Sequence, residues 1–133
     1  MLKSLTRRIS CGLTVVLVAA FASPAPASAD SYNGECGSGY GVVNSASVSG
    51  GTVHLTYNTS NGRNCVVVTR SNPGSAMDMD AALKRSDSTS WKTDPGSFTT
   101  YAGPVYLDAA GQCVDWGGSI GGAWVVRNGT NCG

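Results

Sequence analysis

Charge is scarce in this chain. Only 13% of its 133 residues are Asp, Glu, Lys or Arg, and the formal net charge is +1. Three of the basic residues, Lys3, Arg7 and Arg8, crowd into the first ten positions, which leaves the part from Asp30 onward slightly acidic at net −2. Scattered Arg and Lys on such a background do not make the basic patch of a nucleic-acid binder, nor a basic face for a membrane. Long apolar runs are also missing. The one from Leu13 to Ala22 falls short of the roughly 20 residues that span a bilayer. No two cysteines after Asp30 have the short spacing of a zinc ligand pair. His54 is the single histidine, and there is little that argues for helix, no internal repeat and no long linker.

The N-terminus does carry a pattern. Lys3, Arg7 and Arg8 precede the apolar run, and Ala27-Ser28-Ala29 is a small-residue cleavage site, the three parts of a secretory signal. Thr6-Arg7-Arg8 and Cys11 bring to mind twin-arginine and lipoprotein leaders. However, polar Ser10 follows Ile9 too soon after the arginine pair, and Cys11 precedes the apolar run instead of following it. Residues 1–29 are therefore expected to be removed and residues 30–133 to form one secreted, extracellular domain, released and not inserted in a membrane.

Glycine and small polar residues recur every 8 to 12 positions between β-branched runs, which points to an all-β sandwich or barrel-like domain of short antiparallel strands. Tyr40 to Val48 and Thr52 to Asn58 alternate, and the second puts Val53, Leu55 and Tyr57 on one face and His54 and Thr56 on the other. Thr59-Ser60-Asn61-Gly62 turns the chain. Asn64 to Arg70 reads as a strand buried on both faces, and Ser71-Asn72-Pro73-Gly74 as the next turn. Ala76 to Arg85 contains good helix formers, but only a strand places Met77, Met79, Ala81 and Leu83 together. Tyr101 to Gly122 is the organising stretch, expected to cross the core twice, with Pro104 at a strand start or edge. Val105 to Asp108, Gln112 to Asp115 and Ala123 to Arg127 are the remaining strands.

Cys36, Cys65, Cys113 and Cys132 remain after cleavage, and an even count in an exported chain reads as two disulfides. Of three pairings, Cys36 with Cys65 and Cys113 with Cys132 is favoured, because each joins segments that a simple antiparallel order brings close. The two loops would restrict the unfolded chain by about 3.6 and 3.3 kcal/mol.

Several constellations of chemical interest are weak. Gly117-Gly118-Ser119-Ile120-Gly121 fits the Gly-x-Ser-x-Gly formula, but a nucleophile elbow needs a strand leading into a helix and a later histidine. A glycine-rich turn explains it more simply. His54 is expected to be a solvated surface histidine, since a general base needs a nucleophile and an orienting partner. Asp78 and Asp80 share a strand face about 7 Å apart, too few oxygens for calcium, and read as polar surface. Asp108 and Asp115 flank a turn among Tyr106 and Trp116 and are the pair a glycoside hydrolase would use, although Asp115 is better read as accepting turn hydrogen bonds. Among Trp91, Tyr101, Tyr106, Trp116 and Trp124, the core is the expected place for the set overall. Trp91, next to Lys92 in a turn, is the candidate exposed aromatic and surface ligand contact. Asn58-Thr59-Ser60 and Asn128-Gly129-Thr130 fit the glycosylation formula and read as turn chemistry.

Six blocks carry a resemblance to a known family. They are Ser31-Tyr-Asn-Gly-Glu-Cys36-Gly-Ser-Gly-Tyr40, Gly51-Thr-Val53 with Leu55-Thr-Tyr57-Asn58, Asn64-Cys65-Val66, Tyr101-Ala-Gly-Pro-Val-Tyr106, Cys113-Val-Asp-Trp116-Gly-Gly, and the ending Asn131-Cys132-Gly133. Together they resemble the spore-associated protein A family of filamentous actinobacteria over nearly all of residues 30–133. The resemblance implies a location at the spore surface and supplies no catalytic residues and no role for His54.

The expected function is that of a secreted spore or cell-surface component, structural or adhesive and not an enzyme, with no cofactor and no metal. The expected partner is the spore or cell-envelope surface, with polysaccharide as a candidate ligand. A small carbohydrate-binding or carbohydrate-active protein using Asp108 and Asp115 is the alternative.

Overall fold

Nine strands alternate with turns along the chain in the computed structural model, which describes residues 31–133. The expected leader, 1–29, and the start at Asp30 lie outside the described residues. The strands are β1 (Tyr40–Val48), β2 (Gly51–Asn58), β3 (Arg63–Arg70), β4 (Met77–Arg85), β5 (Lys92–Thr93), β6 (Gly96–Phe98), β7 (Tyr101–Asp108), β8 (Val114–Ile120) and β9 (Ala123–Thr130). All pairings are antiparallel. The first sheet has the order β1-β2-β3-β7. The second has β5-β4-β8-β9, with β6 also paired to β4. Two antiparallel sheets with no helix among the described residues are the all-β architecture that the spacing predicts.

Period-two alternation decides which side chains fill the space between the sheets. Val53 and Leu55 of β2 and Val66 and Val68 of β3 meet Met79, Ala81 and Leu83 of β4, and Trp116 and Ile120 of β8. The alternation of Met77 to Leu83 is thus a strand, although exposed Met77 lies beyond the core. β3 is buried on both faces, as expected. Pro104 lies in β7, an edge strand, where the register shifts: Gly103 and Pro104 stand against Val67 alone, between the pairs Val66 with Val105 and Val68 with Ala102. There its missing N–H costs no ladder bond.

Two disulfides join Cys36 to Cys65 and Cys113 to Cys132. The first fastens the N-terminal segment across the outer face of the first sheet. Cys36, Cys65 and Val67 form a second small apolar cluster there, with Tyr32, Tyr40 and Tyr106 packed against it. Tyr106 donates its hydroxyl to the carbonyl of Cys36 at 2.7 Å.

This strap overturns the expectation for His54. The residue is 6% exposed, its Nε2 lies 3.0 Å from Oγ1 of Thr69, and its ring is 5.9 Å from that of Tyr32. Alternation correctly put His54 on the face opposite Val53. That face is covered by residues brought over by the Cys36 bridge, which a two-layer picture omits.

Gly117-Gly118-Ser119 is also corrected. It lies within β8, and only Gly121-Gly122 turns. Gly118 faces the first sheet, where a Cβ would collide with Cγ2 of Val68, so the glycine serves close sheet packing inside a strand. Asn58 is buried and accepts the N–H of Ser60 at 2.9 Å, which is the turn chemistry expected of it. Asn128 instead stands in β9.

Candidate functional site

The outer face of the second sheet is built from residues that the core does not use. Asp78, Asp80, Ala82 and Lys84 point outward from β4, and the register extends them across the sheet. Asp80 pairs with Ser119 and Ser119 with Trp124. Ala82 pairs with Gly117 and Gly117 with Val126. At the opposite edge, Ala82 pairs with Thr93 of β5 and Asp78 with Ser97 of β6. Small residues in the middle row, Ala82 and Gly117, therefore lie between taller ones on both sides.

The result is a cleft of about 350 Å³ lined by Asp80, Ala82, Trp91, Thr93, Trp124 and Val126. Trp91 is 40% exposed and Trp124 51%. With Ala82 and Val126 they make one apolar patch, and a contiguous patch, unlike a single exposed side chain, marks a contact site. Trp91 is held by its surroundings: Nζ of Lys84 lies over its ring at 5.3 Å and donates to the carbonyl of Ser88 at 2.8 Å, which steadies the loop before the ring.

Beyond Trp124 the groove continues into a cleft of about 420 Å³, whose lining includes Asp78, Asp80, Ser97, Ser119 and Gly122. Oδ1 of Asp80 accepts the N–H of Asp94 at 3.0 Å. Burial pushes the Asp80 carboxyl above the usual carboxylate range, against the lowering effect of the Asp94 and Ala81 amides, and the charge of Asp94 adds to the rise. Asp78 receives a long hydrogen bond, 3.4 Å, from Ser97.

Trp91 thus lies where the sequence expects an exposed aromatic. The expectation that the aromatic set is core holds for Trp116, which is fully buried, and for half-buried Tyr106. It fails for Trp124 and Tyr101, both exposed. Trp124 is exposed because β9 is an edge strand whose outward face is covered by no layer among the described residues. Asp78 and Asp80 are polar surface as expected, but surface that lines a groove. Ser119, set aside as part of a turn, is a groove residue because its strand position faces outward. The signal for it lay in the even spacing of Asp115, Gly117 and Ser119.

Asp108 and Asp115 are not brought to one cleft. Asp108 is exposed at the end of β7 and pairs with Arg63 at 3.4 Å. Asp115, on the outer face of the other sheet, is enclosed. It meets Nζ of Lys84 at 2.8 Å and accepts the hydroxyl of Ser86 at 2.6 Å and the amide of Gly129 at 2.8 Å. Burial alone would raise its pKa, but Lys84, Ser86 and Gly129 together hold it below the usual range. A general acid of a glycosidase needs the opposite shift. Among the described residues no group of three or more His, Cys, Asp and Glu is arranged to hold a metal ion.

No family model and no solved structure matches the chain. Among curated proteins it is 48% identical over 126 residues to spore-associated protein A of Streptomyces coelicolor, covering 94% of this chain and 81% of that protein. At that identity and coverage, the chain belongs to the spore-associated protein A family.

Proposed function

We propose that this chain is a secreted, non-catalytic component of the spore surface that adheres to envelope polysaccharide through the groove on its second sheet. The observation that carries the proposal is the pair of exposed indoles, Trp91 and Trp124, lining one cleft together with the small side chain of Ala82. A sugar ring has an apolar C–H face and a polar rim. Flat aromatics take the face, while carboxylates and hydroxyls take the rim. Asp80 supplies the polar group in the same cleft. The family's name supplies the spore, and the leader expected at residues 1–29 supplies export. Two disulfides suit an oxidising exterior, where they persist.

The test is retention of the protein on isolated spore-envelope polysaccharide, run beside an assay for released reducing ends. Retention that drops about tenfold in Trp91→Ala and in Trp124→Ala, with no sugar released, is the expected result. Undiminished retention of both variants overturns the binding site. Sugar release that disappears in Asp108→Asn or Asp115→Asn overturns the non-catalytic role.

A further inference from the structure

The groove is not uniform in chemistry, and its far half carries more than stacking. The lining of the cleft beyond Trp124 includes two carboxylates, Asp78 and Asp80, and no lysine or arginine. Lys84, on the same sheet face, is occupied by Asp115 and the carbonyl of Ser88. Between Asp80 and Trp124 stands Ser119, 5% exposed, whose hydroxyl lines the cleft and makes no hydrogen bond to the described residues. That hydroxyl is open to the cleft, where it can accept a hydrogen bond from an occupant.

We infer that this cleft is a second sugar subsite that takes a ring bearing a protonated amino group. An ammonium has three N–H donors and no acceptor, and the cleft offers it three acceptors: the carboxylates of Asp78 and Asp80 and the hydroxyl of Ser119. The two carboxylates are two residues apart on β4, about 7 Å, a span that one ammonium bridges. The Trp124 ring is shared by both clefts, so a ring stacked there can extend its amino group toward Ser119 while its neighbour lies against Trp91. A metal ion is a poorer occupant, because no third His, Cys, Asp or Glu joins the two carboxylates in a metal-holding group among the described residues. The raised pKa of Asp80 agrees with a carboxylate that lacks a positive partner.

The inference rests on the polysaccharide-binding role and is tested separately from it. Three tetrasaccharides share one β-1,4-linked glucan backbone and differ at the second carbon: cellotetraose with hydroxyl, the N-acetylglucosamine tetramer with acetamide, and the glucosamine tetramer with a free amine. Titration calorimetry at about pH 6, where such amines are largely protonated, should give the glucosamine tetramer an affinity about five- to tenfold above the other two. That is the contribution of one or two partly solvated ion pairs. The preference should vanish in Asp78→Asn and Asp80→Asn, which retain the acceptor atoms that Ser97 and Asp94 use, while Trp91→Ala weakens all three ligands alike. Equal affinity across the series overturns the amine subsite and leaves the stacking cleft standing, as does a preference that survives in both Asn variants. No binding of any tetramer, together with wild-type retention of the tryptophan variants on envelope polysaccharide, overturns both.

Discussion

Nζ of Lys84 and Oδ2 of Asp115 lie 2.8 Å apart on the outer face of the second sheet, with both side chains nearly withdrawn from solvent. The pair ties β4 to β8, and through the Gly129 amide it also ties in β9. Removing one charge leaves the other enclosed and unmatched. Asp115→Asn is expected to destabilise the fold by about 2–4 kcal/mol. The pKa of Asp115 is lowered in the fold, so its contribution is complete above the unfolded carboxylate value, about 3.9, and is lost as pH falls through the folded value. Melting temperatures of wild type and variant, measured from neutral to strongly acid pH, should converge only at the acid end.

Asp80 should behave in the opposite sense. Burial raises its pKa in the fold, so its ionised form weighs against the native state. That deficit is present above the raised folded value and disappears as pH falls toward the unfolded one. Asp80→Asn should therefore gain a little stability at neutral pH, below about 1 kcal/mol, and none in acid. A variant less stable than wild type at neutral pH would refute this account.

The strap over the first sheet makes His54 a reporter, because it is the chain's single histidine. With the bridge from Cys36 to Cys65 intact, His54 should resist acylation by an imidazole reagent. In the Cys36→Ser, Cys65→Ser double variant the strap loses its anchor, and modification should be faster by tenfold or more. Stability should fall by about 3–4 kcal/mol on loop-entropy grounds. Equal reactivity in the two proteins, followed by mass spectrometry, would show that the disulfide does not hold the cover down.

Gly118 packs directly against the first sheet. Its missing side chain makes room for Cγ2 of Val68 and, at 3.2 Å from the would-be Cβ, Cγ2 of Val53. Gly118→Ala should lower the unfolding free energy by about 2–3 kcal/mol or more through overpacking, read as a shift in the denaturant midpoint with unchanged slope. Gly111→Ala meets no atom within 4 Å but sits at φ 69°, so its cost should be backbone strain alone, about 1 kcal/mol.

Much of the architecture was legible because it depends on local pattern. Met77, Met79, Ala81 and Leu83 can share a face only in a strand, whatever their helical propensity. Asn61-Gly62 and Pro73-Gly74 sit where the chain turns. Residues that the pattern misplaced were those whose neighbours come from far along the chain. Ser119 looked like part of a turn because glycines surround it, yet Gly118 is needed for packing and not for bending. Trp124 looked like core because it is large and apolar, yet its strand ends up at an uncovered edge. Asp108 and Asp115 looked like a pair because they flank one turn among Tyr106 and Trp116, yet the chain changes sheets between them.

Strand content, alternation and the supply of cysteines were already set in the order of the amino acids, since each follows from residue type and spacing within a few positions. Which outward face stays open was set by folding. The N-terminal strap closes the face that carries His54, and nothing among the described residues closes the face that carries Trp91 and Trp124. Whether a polar face meets solvent depends on what folds back over it, and that is a contact between distant parts of the chain which no local period records.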